Sequence, residues 1–256
     1  MKNPNRRLIQ NPVCGLLAAI AFSLLAVPYS FGADVLINHT FKGGDGTLNG
    51  VKVEGGTLQT GGLEWVSEPD TEITAGGAMT VTKPEQSAYI EIGSAISKGE
   101  KNDIYTLEIV VENQTVGNAI ITGGFWELPA SNKPPNVKAS QDGNGGTAWW
   151  FWRGAGEFGG QTGPNFTKNN VAAIPAGQFY GTGSITTVLD FTGYDGSTNF
   201  GTVSMYNGSA AKGTLLGSAK FSGEESFEFV GFSTRFGTED KPAMGTIKSL
   251  TLTKGR

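Results

Sequence analysis

The chain has 256 residues, with 19 Lys and Arg against 23 Asp and Glu and a formal net charge of −4 at pH 7. That balance lacks the basic footprint that nucleic-acid binding requires, and a single cysteine, Cys14, excludes an intrachain disulfide. Glycine, at 39 residues, stands at about twice its usual ~7% share, and without a Gly-X-Y period the excess implies many tight turns.

Residues 1–33 read as an export signal. Lys2, Arg6 and Arg7 supply the positive start, "LLAAIAFSLLAV" the apolar run, and "PYSFGA" the small-residue exit. A bilayer span needs about 20 apolar residues, so this shorter run predicts cleavage and a secreted or cell-surface protein without stable membrane insertion. Removing it takes three of the 19 basic residues and none of the 23 acidic ones, which makes residues 34–256 more acidic still. Those residues are long enough for one domain with a sizeable core.

Strand patterns then follow one another, separated by Gly, Asn, Asp and Pro clusters. The first, "VLINHTF", carries the only histidine, His39, for which a structural place on the strand is expected. In "EPDTE", Glu68, Asp70 and Glu72 alternate as paired glycosidase carboxylates do, but Pro69 and Thr71 replace the apolar partners of a buried strand. An acidic surface turn is the expectation there. "AMTVT" and "SAYIEIG" come next, followed by "IYTLEIVVE", whose Tyr105, Leu107, Ile109 and Val111 share one face. After "NAIITGGF", residues 127–146 form a polar, proline-bearing stretch of a length usually reserved for functional loops. Within it, Asp142 and Asn144 of "QDGNGG" are oxygen ligands of the kind a calcium site uses. The default reading is a solvated Asp-Gly turn, and no cofactor is expected.

"TAWWFWR" concentrates three of the five tryptophans in four positions. Period 2 puts Ala148, Trp150 and Trp152 on one face and Trp149, Phe151 and Arg153 on the other. The wholly apolar set suits the core, because burying Arg153 without a partner is costly. Trp149, Phe151 and Arg153 then make an outward aromatic and cationic strip on which sugar rings can stack, with Asn136, Asp142, Asn144, Gln161 and Asn165 nearby to bond hydroxyls. A loop or neighbouring strand covering that face as a second small core is the alternative. "GAGEFG", Gly154 to Gly159, matches a dinucleotide fingerprint only literally, since the following "GQTGPNFT" is not a helix; it reads as a hairpin turn. "SITTVLDFT", "TVSMYNG", "TLLGSAKF", "SFEFVGFS" and "GTIKSLTLT" complete an all-β pattern of ten to thirteen strands, which predicts a two-sheet antiparallel β-sandwich.

The segments "TLNGVKVEGG…LEWVS", "SAYIEIG…YTLEIVVEN", "ITTVLDFTG…GTVSMYNGSAAKGTLLG" and "FVGFSTRF…GTIKSLTLT" resemble the concanavalin A-like lectin/glucanase superfamily, particularly laminin-G-like jelly rolls of bacterial exported proteins. The resemblance implies that "VLDFTG…VSMYNG" forms a hairpin and that the last strand closes the sandwich near the first. It also implies a choice among glycan binding, glycan cleavage and structural roles. The outward strip favours a non-catalytic carbohydrate-binding protein with a polysaccharide or glycan partner. The rivals are an envelope or matrix protein acting through self-association or other protein contacts, and a glycan hydrolase or lyase.

Overall fold

A computed structural model describes residues 32–42, 46–68, 71–74, 78–81, 86–96, 98, 103–113, 120–127, 146–153, 158–162, 172–174, 182–235 and 245–255. The leader expected over residues 1–33 therefore falls outside the described residues except for Gly32 and Ala33. Among the described residues there is no α-helix, only two 3-10 turns at Thr57–Gly61 and Gly93–Ala95, and no helix is long and apolar enough to cross a membrane.

The strands in chain order are β1 (Asp34–His39), β2 (Gly46–Thr47), β3 (Trp65–Ser67), β4 (Glu72–Thr74), β5 (Ala78–Val81), β6 (Ser87–Glu91), β7 (Ile104–Asn113) and β8 (Ile120–Trp126). They continue with β9 (Gly146–Arg153), β10 (Phe158–Thr162), β11 (Ala172–Ile174), β12 (Thr182–Asp190), β13 (Thr202–Asn207), β14 (Thr214–Lys220), β15 (Phe229–Arg235) and β16 (Gly245–Gly255). Every pairing among the described residues is antiparallel. One sheet runs β14-β13-β12-β7-β16-β5-β4-β2, with β1 also on β16; the other, seven-stranded, runs β11-β10-β9-β8-β15-β6-β3. The chain is an all-β, two-sheet sandwich, as the strand pattern predicted.

Alternation places the core between the sheets. Tyr105, Leu107, Ile109 and Val111 of β7 are all buried, as are Ile185 and Leu189 of β12 and Leu250 and Leu252 of β16. Facing them from the seven-stranded sheet are Ile121, Phe125, Trp150, Trp152, Val230 and Phe232, all in the same cluster. Gly123 shows how tightly the layers fit. A Cβ there would overlap the Trp150 indole and press on Ile109 of the opposite sheet, so glycine leaves the room that the ring occupies. Both connections implied by the resemblance are present: β12 and β13 form a hairpin with Ile185 opposite Asn207, and β16 lies beside β1 with Leu250 opposite His39.

Two polar clusters pin the margins. At one end of β16, Lys254 Nζ lies 2.6 Å from Asp103 Oδ2, and the Tyr105 hydroxyl donates to the same oxygen at 3.1 Å. The hydrogen bond to buried Asp103 holds the Lys254 ammonium above the ordinary lysine range. In the second cluster, opposite Leu250 of β16, His39 is fully buried between Phe41 and Trp65, and its Nδ1 accepts from the Glu54 amide at 3.2 Å. Burial pushes the His39 imidazole down, against the opposing pull of Glu54, so it is held neutral in the structural role expected from sequence.

Candidate functional site: the outer face of the seven-stranded sheet

The "EPDTE" carboxylates do not share a strand. Glu68 follows β3 in the seven-stranded sheet, where its amide donates to Ser87 O at 3.0 Å, whereas Glu72 opens β4 in the other sheet. Between them the Thr71 amide donates to Glu68 O at 3.1 Å, closing a turn that carries the chain from one layer to the other. Glu72 is exposed, Thr71 and Ile73 point inward, and Asp70 lies outside the described residues. Glu68 and Glu72 therefore flank a turn between different sheets and do not share one strand face.

The tryptophan strand divides its faces as its period predicts. Trp150 and Trp152 enter the main core, with Trp150 stacked on Phe158 at 6.2 Å between ring centroids. β9 pairs with β10 through Trp152 opposite Phe158 and Trp149 opposite Gln161, so a strand follows "GAGEFG" where a nucleotide fingerprint would need a helix.

On the outer face the outcome differs from the expectation of a solvent-facing strip. Trp149 is 0% and Phe151 1% exposed, and with Ile120, Trp126 and Phe229 they form a second buried cluster. The physical reason lies in area: each such ring carries about 150–250 Å² of largely apolar surface, and side by side they are far more stable shielded than wet. Tyr89 packs against this cluster as its partly exposed member, its ring edge-to-face with Phe229 at 4.9 Å. Gln161 is also buried on this face, while Arg153 occupies a position on it. Asp142 and Asn144, with Asn136 and Asn165, lie outside the described residues.

Strand register orders this face into rows. Phe151, Thr122, Ser233 and Ser87 lie side by side across β9, β8, β15 and β6. Thr122 and Ser233 hydroxyls are 3.3 Å apart, and Ser87 Oγ is buried with no hydrogen-bond partner among the described residues. The next row holds Trp149, Gly124, Gly231 and Tyr89, with Val66 of β3 beside it and 38% exposed. Tyr89 therefore marks where the aromatic face reaches solvent. Burial, followed by the charges of Glu91 and Glu68, pushes its phenol above the ordinary tyrosine range.

A second feature escaped sequence reasoning. A cleft of about 650 Å³ opens beside the end of β8 and the start of β15, lined by Lys98, Glu127, Glu224, Glu225 and Glu228 among others. Lys98 Nζ sits 2.5 Å from Glu224 Oε2, and the Tyr194 hydroxyl donates to the same carboxylate, so Glu224 is held below the usual glutamate range. Burial and the nearby Glu127 push Glu225 the other way. "GEES" carries no spacing that would mark this contrast; it arises from tertiary contacts. Among the described residues no group of three or more His, Cys, Asp or Glu is placed to hold a metal ion.

Comparison with solved structures fits this architecture. The carbohydrate recognition domain of Emp47p matches with a TM-score of 0.50 and 10% identity, over 75% of this chain and 89% of that one. The fold is a concanavalin A-like jelly roll. Lotus tetragonolobus seed lectin matches at TM-score 0.45 and 14% identity, over 75% of this chain and 92% of the lectin. The alginate lyase Aly36B matches at 0.48 and 15%, over 86% of this chain and 96% of the lyase. At such identities the likeness is one of fold, whose members differ in chemistry. No protein-family model and no curated protein matches the chain.

Proposed function

We propose that this protein is a secreted or cell-surface, non-catalytic carbohydrate-binding protein that uses the outer face of the seven-stranded sheet. The observation that carries the reading is Tyr89, a partly exposed ring on an otherwise buried aromatic cluster, with Glu91 two residues along β6 and Glu68 following β3 beside Ser87. A ring face stacks on the apolar face of a sugar while adjacent carboxylates accept its hydroxyl protons. Trp149 and Phe151, buried beneath, give the platform rigidity rather than contact area, and Arg153 stands on the same face. Emp47p supplies a precedent in name, since the matched region is a carbohydrate recognition domain.

Affinity electrophoresis of the purified protein through gels containing single polysaccharides tests the proposal. Retardation in at least one gel, relieved by Tyr89→Leu at unchanged melting temperature, is the expected result; no retardation in any gel contradicts it. Leucine is chosen because it keeps an apolar contact with Phe229 and removes the stacking face.

One observation favours a second reading, a glycan hydrolase or lyase. Glu225, pushed up by burial and Glu127, and Glu224, held down by Lys98 and Tyr194, are the contrast that separates a proton donor from an acceptor. Reducing-end or unsaturated-product release that is lost in Glu225→Gln would install this reading in place of the first.

A further inference from the structure

Leu189, Val203 and Phe221 are buried, so by alternation their neighbours Asp190, Thr202 and Lys220 point outward from the nine-stranded sheet. Register puts the three in one row: Asp190 pairs with Thr202, and Thr202 pairs on its other side with Lys220. They border a pocket of about 280 Å³, which the loop between β12 and β13 completes with Thr192, Asn199 and Phe200. The lining is open to solvent, with Lys220 and Thr192 exposed and Asp190, Asn199, Phe200 and Thr202 half-buried. Strands spaced ~4.8 Å set the Asp190 and Lys220 backbones about 10 Å apart. Among the described residues neither side chain enters an ion pair, and Asp190 uses only Oδ1, which accepts from the Thr192 amide at 2.8 Å.

The walls are fixed before any ligand arrives. Asp195 Oδ1 accepts from the amides of Ser197, Thr198 and Asn199 at 2.8, 2.7 and 2.9 Å. Asn199 then ties the loop to itself: its Nδ2 donates to Thr192 O at 3.2 Å and its Oδ1 accepts from the Gly201 amide at 3.1 Å. Gly201 has φ +93°, and a Cβ there would overlap the Phe191 ring and the Asp190 carbonyl, so the returning chain lies hard against the end of β12. Phe200 packs on the main core with part of its ring uncovered. A loop held in this way pays little ordering cost when a ligand enters.

The lining selects its ligand by exclusion. A metal cation meets one carboxylate among the described lining residues, Asp190, and the Lys220 ammonium across from it. An anion meets the Asp190 charge, and an apolar molecule covers Asp190, Asn199 and the threonine hydroxyls without bonding them. A sugar ring suits all of them, since its hydroxyls donate to Asp190 Oδ2 and accept from Lys220 while its C–H face lies on Phe200. The volume falls at the small end of ligand pockets, which run from about 300 to 1,000 Å³, and limits the ligand to a single ring. We propose that this pocket is a second carbohydrate site that takes one sugar ring, separate from the Tyr89 face. The pocket stands whether or not Tyr89 meets a glycan. With both occupied, the protein holds two glycan segments at once, one on each sheet.

Saturation-transfer difference NMR on the purified protein tests the site with the methyl glycosides of glucose, galactose, mannose, xylose and N-acetylglucosamine, each titrated to a dissociation constant. At least one is expected to bind. Asp190→Asn keeps an acceptor for the Thr192 amide but removes the charge, and should weaken that glycoside about tenfold or more, the loss of one charge-assisted hydrogen bond. Lys220→Gln should weaken it in the same direction. Lys212→Gln, an exposed cation in the turn between β13 and β14, should change nothing. Melting curves exclude unfolded variants, and the exposed Lys220 position decides the matter if Asp190→Asn does not fold. Failure of every glycoside to bind overturns the site, as does full affinity in both folded pocket variants; gel retardation through Tyr89 is unaffected by either outcome. A signal lost in Tyr89→Leu and kept in both pocket variants belongs to the other face and also overturns the site. Alanine is included because its ammonium and carboxylate match the Asp190 and Lys220 charges, and alanine binding without any glycoside overturns the ligand class.

Discussion

Trp149→Ala tests whether the outer face is a second core. The ring is fully buried and loses contact with Phe151, whose centroid is 6.3 Å away, and with the cluster that, among the described residues, also holds Ile120, Trp126 and Phe229. Large aromatic-to-alanine changes cost about 3–5 kcal/mol, and a small cluster at a sheet surface collapses more readily than a central core, so the low end, about 3 kcal/mol, is expected. For a domain of this size that corresponds to a fall in melting temperature of roughly 6–12 °C. Trp150→Ala, which empties the space over Gly123 between two sheets, should fall at the upper end, about 5 kcal/mol. Thermal and urea unfolding followed by far-UV circular dichroism measures both variants without relying on the tryptophan signal being altered. A Trp149→Ala protein melting within about 2 °C of the wild type, a loss below ~1 kcal/mol, would refute the second-core reasoning and restore a solvent-facing strip.

Gly123→Ala should destabilise by about 1–3 kcal/mol in the same unfolding assay, since its methyl group meets the Trp150 ring and Ile109. Lys254→Met should cost about 3 kcal/mol by leaving the buried Asp103 carboxylate without its cation, and the wild type should lose that contribution only at strongly alkaline pH. The sign follows from Lys254 titrating higher when folded: stability is complete below the ordinary lysine value and lost as pH rises through the raised one. His39 behaves in the opposite sense. Its folded-state value is lowered by burial, so stability should decline as pH falls below about 6.5, and His39→Gln, which keeps an acceptor for the Glu54 amide, should flatten that slope.

Period 2 made most of this fold legible. It placed Tyr105, Leu107, Ile109 and Val111 in the core and divided Trp149 and Phe151 from Trp150 and Trp152, because side-chain direction on a strand is a local property. Exposure is not local, and the period of one strand does not encode it. "IITGGFW" is buried at all seven positions, and such a run without alternation, next to "AWWFW", is the pattern of strands shielded on both faces. The Glu224–Glu225 contrast depends on contacts with Lys98 and Glu127, far away in sequence, which no spacing within a segment encodes. The "EPDTE" turn was readable because Pro69 bars an interior strand position by itself.

The decisive property of this protein is whether a sugar meets the Tyr89 face. Isothermal titration of the best-retarded oligosaccharide into wild type, Tyr89→Leu and Tyr206→Leu compares matched changes of two half-buried tyrosines on the outer faces of different sheets. The expected result is a loss of about tenfold in affinity for Tyr89→Leu, the ~1.5 kcal/mol of a lost ring contact, with Tyr206→Leu indistinguishable from wild type. Equal affinity for wild type and a folded Tyr89→Leu, or a loss confined to Tyr206→Leu, would contradict it.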